Sequence, residues 1–110
     1  MITNLTKKHC TPCEGGTPPL TADEVESYRA QTDDWKADEV KKTLTKSFTF
    51  SDFKEALGFV NRIGEIAEEE GHHPDILLHG YKNVDITLST HAIGGLSEND
   101  FILAAKIDTL

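Results

Sequence analysis

The chain has 110 residues, 37% hydrophobic and 27% charged, enough for one domain with one buried core. An excess of 19 acidic over 11 basic residues leaves a net charge of −8, which disfavours direct contact with nucleic acid or an anionic membrane surface. No apolar run approaches the roughly 20 residues that cross a bilayer, and "MITNLTKKHC" lacks the apolar stretch of a secretory signal, so a cytoplasmic location is expected.

Residues 1–20 are rich in Thr, Pro, Gly and Cys and end in "GGTPPL", which reads as an extended arm ahead of a single domain over 21–110. Cys10 and Cys13 lie in this arm, in "HCTPCEGG". A C-x-x-C pair serves redox chemistry or forms half of a zinc site, but no second pair follows and His9 would add only a third ligand. "TADEVESYRAQ" then opens with a capping box, Thr21 with Glu24, and places Ala22, Val25 and Tyr28 on one helical face.

From Trp35, itself expected in the core, the period changes to two. In "LTKSFTF", Leu44, Phe48 and Phe50 alternate with Thr45, Ser47 and Thr49. The stretch beginning at Trp35 is the expected hairpin partner, with a turn near Lys41–Lys42. "SDFKEALGFVNRIGEIAEEEG" carries the strongest helical pattern. Ser51 is the expected cap, Phe53, Ala56, Leu57, Val60, Ile63 and Ala67 the core stripe, and Gly71 the stop.

A second hairpin follows: "PDILLHG" as one strand, Tyr81 to Asn83 as the connection, and "VDITLST" as the return. Val84, Ile86 and Leu88 face one way; Asp85, Thr87 and Ser89 face the other. Gly94–Gly95 permits the turn into the last helix. "SENDFILAAKIDTL" then begins with Ser97 and Asp100 as a cap signal. This order predicts an α+β fold: an N-terminal helix plus a doubled β-β-α unit, with a four-stranded antiparallel sheet and the helices packed on one face. The last helix is apolar on nearly all sides, more than one sheet contact buries, and is expected to supply a subunit interface.

Four of the five histidines lie between Gly71 and His91. His72 and His73 follow the central helix, whose last turn holds Glu68, Glu69 and Glu70. Carboxylates oppose the helix dipole there, and such local conflicts concentrate at functional sites. An antiparallel hairpin brings the start of one strand beside the end of the other, so His91 is expected near His72 and His73. Three convergent imidazoles fit a structural role, acid/base work or a metal site. Adjacent residues point apart and no H-E-x-x-H helix is present, which weighs against metal. His79, at a strand end, is expected on the surface.

The run E-x-x-x-H-H-P from Glu68, then Tyr81, then "THAIGGLSENDFILAAKID" resembles the pterin-4a-carbinolamine dehydratases, a family also known as the dimerization cofactor of a hepatocyte transcription factor. The likeness extends back through "FTFSDFKEALGFV" and Trp35 over roughly residues 20–108. The interval from Pro74 to Tyr81 is one residue longer than in the vertebrate branch. The resemblance implies dehydration of 4a-hydroxytetrahydropterin to quinonoid dihydropterin, recycling the pterin of aromatic amino-acid hydroxylases, with no metal or bound redox cofactor. It also implies His72, His73 and His91 as catalytic residues and Glu68, Pro74 and Asp100 as their support. His73, Tyr81 and Thr90 are then expected at the pterin, and the chain is expected to form a homodimer or homotetramer. The rival readings are a regulatory, dimerisation-type binding module and a histidine metal-binding protein.

Overall fold

A computed structural model describes residues 5–10, 18–38 and 42–110, with the backbone but not the side chain of His91. Among these residues the elements run α1 (Ala22–Arg29), β1 (Lys36–Asp38), β2 (Thr43–Thr49), α2 (Phe53–Glu70), β3 (Asp75–His79), β4 (Asn83–Leu88) and α3 (Glu98–Ile107), with 3-10 turns at Leu5–Lys7 and His91–Ile93. The strands form one antiparallel sheet in the order β1-β2-β4-β3. The expected α+β architecture is the one observed.

Local chemistry sets the element ends. Thr21 and Glu24 close the capping box of α1 reciprocally, at 3.2 and 3.0 Å. At α2 the cap is Asp52, not Ser51. The Asp52 carboxylate accepts from the Glu55 N–H at 2.8 Å, while the Ser51 hydroxyl donates to the Glu55 side chain at 2.7 Å. Gly71 ends α2 in the left-handed region at φ 66°, where a side chain would be strained. The β1–β2 turn includes Lys42 at φ 58°; Lys41 lies outside the described residues.

One sheet face is apolar and covered. Leu44, Val84, Ile86 and Leu88 point from it into a cluster with Ala56, Phe59 and Ile63 of α2, Trp35, and Phe101 to Ala105 of α3. Each large side chain fully removed from water there contributes about 1.5–3 kcal/mol. The core stripe of α2 is rotated from the expected one. Phe59 is buried between Phe48 and Phe50, at centroid distances of 4.7 and 4.9 Å, whereas Phe53 and Leu57 are 51% and 43% exposed. The covered residues Ala56, Phe59, Ile63, Ala67 and Glu70 hold the three- and four-residue steps of a single face. Phe53 and Leu57 flank it.

The apolar surface of α3 does not await another subunit. The turn Leu5–Lys7, α1 and α2 all pack against it, and Phe101 to Ala105 and Ile107 are buried within one chain. Residues 5–10, part of the stretch read from sequence as an arm, are thus docked on the domain, with Leu5 in the core. Cys13 lies outside the described residues.

Candidate active site

Three chain segments meet where α2 ends. Gly71 turns the chain so that the His72 N–H donates to the Ala67 carbonyl at 3.2 Å, and Pro74 then leads into β3. The β3–β4 register sets Asp75 opposite Thr87 and His79 opposite Asn83. Residues just before 75 and just after 87 therefore gather at one end of the hairpin. The N-terminus of α3 supplies the third segment.

Asp100 joins them. It is fully buried, and its Oδ1 lies 2.6 Å from His72 Nε2. Its Oδ2 accepts from the Thr90 hydroxyl at 2.8 Å and from the Ser97 backbone N–H at 3.0 Å. Thr90 and Ser97 share a further hydroxyl contact at 2.8 Å. An ionised carboxylate is acceptor-only and has room for all three donors. The box at Ser97 thus caps α3 and also holds the His72 ring.

His73 departs from its neighbour. Its Nε2 lies 2.8 Å from Glu68 Oε1 in an exposed pair one helical turn back. Thr90 is buried, and its backbone closes the following turn through bonds to Gly95 and Ile93. His91 opens that turn beside Thr90; its side chain lies outside the described residues. Tyr81 is not brought to this cluster. It sits in the β3–β4 connection at φ 57°, beyond a five-residue strand that at about 3.3 Å per residue separates it by roughly 17 Å from the histidine end. His79 is exposed at that far end, paired with Asp85.

The N-terminal segment buttresses the site from behind. The Leu20 N–H donates to the Leu96 carbonyl at 2.9 Å, and Pro19 packs on Gly95 so closely that an added Cβ would lie 2.6 Å from the Pro19 Cβ. Lys8 and Tyr28 both reach Glu98 in the first turn of α3, at 2.9 and 2.7 Å. That bond to Glu98 pushes the Tyr28 phenol up to about 12.

Glu70 explains one of the carboxylates set against the α2 dipole. Its side chain is 2% exposed, accepts from Lys106 Nζ at 2.6 Å and faces His9 Nδ1 at 3.1 Å. Burial alone would push its carboxyl up, but Lys106 and His9 outweigh it and hold it below its ordinary value. Neither partner could be read from the sequence, since each is remote along the chain.

A cavity of about 220 Å³ opens on the other side of the 94–96 turn, lined by Leu20, Val25, Ala37 and Leu96 with Asp38 and Lys42. It includes none of the histidines. Among the described residues, which exclude the His91 side chain, no three His, Cys, Asp or Glu side chains converge as metal ligands.

Residues 18–110 match the family described as Pterin 4 alpha carbinolamine dehydratase. A Rubrobacter xylanophilus protein named as a candidate pterin-4-alpha-carbinolamine dehydratase is 48% identical over 109 residues, 99% of this chain and 100% of that protein. One from Alkaliphilus metalliredigens bearing the same name is 51% identical over 108 residues, 97% of this chain and 96% of its own. The crystal structure of a transcriptional coactivator/pterin dehydratase from Brucella melitensis superposes with a TM-score of 0.77 at 34% identity, covering 83% of this chain and 96% of that one. A pterin dehydratase-like protein described as a RuBisCO assembly factor in the alpha-carboxysome gives 0.58 at 29% identity, covering 68% and 86%. With the match spanning nearly its whole length and the fold shared, this chain belongs to the pterin-4-alpha-carbinolamine dehydratase family.

Proposed function

We propose that this chain dehydrates 4a-hydroxytetrahydropterin to quinonoid dihydropterin and water by histidine acid/base catalysis, so recycling a tetrahydropterin cofactor. The observation that carries this reading is the half-buried His72 ring, bonded on one side to the buried Asp100. Dehydration needs one proton delivered to the 4a-hydroxyl and one removed from N5. The C4a–O bond breaks with its electron pair leaving on oxygen as water, and the N5 pair closes the C=N bond. Imidazole can perform either transfer near neutral pH, and each well-placed transfer contributes about 10²–10⁴-fold.

In this reading His72 and His91 form the acid/base pair, His73 holds the pterin with its ring oriented by Glu68, and Asp100 braces His72. Pro74 fixes the backbone after the pair. Tyr81 of the same chain is too distant to join His73 on one pterin. The chain acts in the cytoplasm as a homodimer or homotetramer, beside an aromatic amino-acid hydroxylase that generates its substrate. Exposed Phe53 and Leu57 on α2, rather than α3, offer the apolar contact surface.

The test is a stopped-flow assay on freshly generated 4a-hydroxytetrahydropterin with chelator-treated protein. His72→Ala and His91→Ala each lower turnover at least tenfold, within the range of a lost proton transfer, with the circular dichroism spectrum unchanged. Wild-type rates from both variants would remove the proposed roles. A partner-binding role is the alternative, favoured by the coactivator and assembly-factor descriptions of the two structural relatives. Protein partners that persist after all three histidines are replaced would support it.

A further inference from the structure

We infer that Thr90 is a positioning residue for His72 rather than a contact to the pterin, and that the Asp100–Thr90–Ser97 chain fixes Nδ1 as the working nitrogen of His72. This inference rests on the acid/base reading above and sharpens it.

The direction of each hydrogen bond follows from proton counting. A threonine hydroxyl has one proton, and the Thr90 Oγ1 proton goes to Asp100 Oδ2 at 2.8 Å. The 2.8 Å contact between Thr90 and Ser97 must then be donated by Ser97. Thr90 is 5% exposed, its proton is committed and an oxygen lone pair is occupied. Its backbone N–H and carbonyl are also taken, by Gly95 and Ile93. Nothing on Thr90 remains to donate to a substrate.

With two donors on Oδ2, Asp100 turns Oδ1 to His72 Nε2 at 2.6 Å. An acceptor at that distance places the proton on Nε2, and a carboxylate that fixes a histidine tautomer in this way leaves the opposite nitrogen to do the chemistry. Nδ1 of neutral His72 therefore carries the lone pair. It accepts a proton from substrate, or, once protonated, returns it. Ser97 orients Thr90, Thr90 orients Asp100, and Asp100 orients the ring. Each link is buried except the last, where the ring reaches solvent.

The test has a spectroscopic and a kinetic part. In nitrogen-15-labelled protein at alkaline pH, two-bond nitrogen–hydrogen couplings should show His72 as the Nε2–H tautomer, with the resonance assigned by its loss in His72→Gln. Thr90→Val removes the donor at nearly constant volume and should give mixed tautomers. It should also lower kcat roughly tenfold while KM stays within about twofold, the pattern of a lost orienting partner. Thr90→Ser, which keeps the hydroxyl, should restore both. A substrate contact would instead raise KM with kcat preserved, which overturns the inference, as does an Nδ1–H tautomer in the wild type. If Thr90→Val fails to fold, the wild-type tautomer still decides. The tautomer measurement needs no turnover. Absence of dehydration by the wild type would sink the activity, whereas the wrong tautomer would sink the positioning chain alone.

Discussion

The two ends of the β3–β4 hairpin each carry a histidine–carboxylate pair, and distance barely separates them. His72 and Asp100 lie 2.6 Å apart at one end, His79 and Asp85 3.0 Å apart at the other. Surroundings separate them sharply. The first pair is 13% and 0% exposed, and its carboxylate has two further donors; the second is 47% and 39% exposed on the uncovered sheet face. A buried, fully bonded carboxylate holds a ring in one orientation, while an exposed ion pair is screened by water and contributes about 0–1 kcal/mol. The proposed acid/base role therefore belongs to one end of the hairpin and not to histidine as a residue type.

Turnover is where this contrast should be widest. His72→Ala should lower the dehydration rate by about 10²–10⁴-fold, whereas His79→Ala should leave it unchanged. Equal losses from both variants would erase the distinction between the two ends. Stability should follow the same division. Asp100→Ala strips the acceptor from three donors and should cost about 3–5 kcal/mol in urea unfolding, against about 0–1 kcal/mol for Asp85→Ala.

Glu70 offers an acid-side test away from both pairs. Its folded carboxyl is held below the ordinary 4.5, against the push of burial, by Lys106 and His9. A lowered carboxyl contributes stability that is complete above the ordinary value and is lost as pH falls through the lower folded one. Glu70→Gln should thus flatten the acid limb of the stability curve below about 4.5 and leave dehydration intact. An unchanged acid limb would mean that the Lys106 and His9 contacts do not hold in solution. The smallest expected effect is His79→Ala on stability, within about 0.5 kcal/mol by thermal unfolding.

The sequence revealed most where the cause is local. The capping boxes at Thr21 and Ser97, the αL stop at Gly71 and the alternation of Val84, Ile86 and Leu88 depend on near neighbours, and all appear in the structure. Asp100 could be read as a cap from its neighbours and as support for the histidines only through the family resemblance; its partner His72 lies 28 residues away, and the pair forms only in the folded chain. The apolar circumference of α3 was visible, yet its cover was not, since Leu5 comes from the far end of the chain. Phe59 escaped the α2 stripe because the buried face is turned toward the aromatic rings of β2 and its exit, a tertiary preference that helical spacing does not encode. Tyr81 joined the expected site through its place in a motif; a strand's length separates it from His73 in space.

Single-turnover dehydration of 4a-hydroxytetrahydropterin, compared in parallel for chelator-treated wild type, His72→Ala and His79→Ala, sets the two ends of the hairpin against each other in one assay. Fast conversion is expected from the wild type and His79→Ala and at least a tenfold loss from His72→Ala, as removal of a positioned acid or base demands. Conversion by His72→Ala at the wild-type rate would contradict the proposed acid/base role.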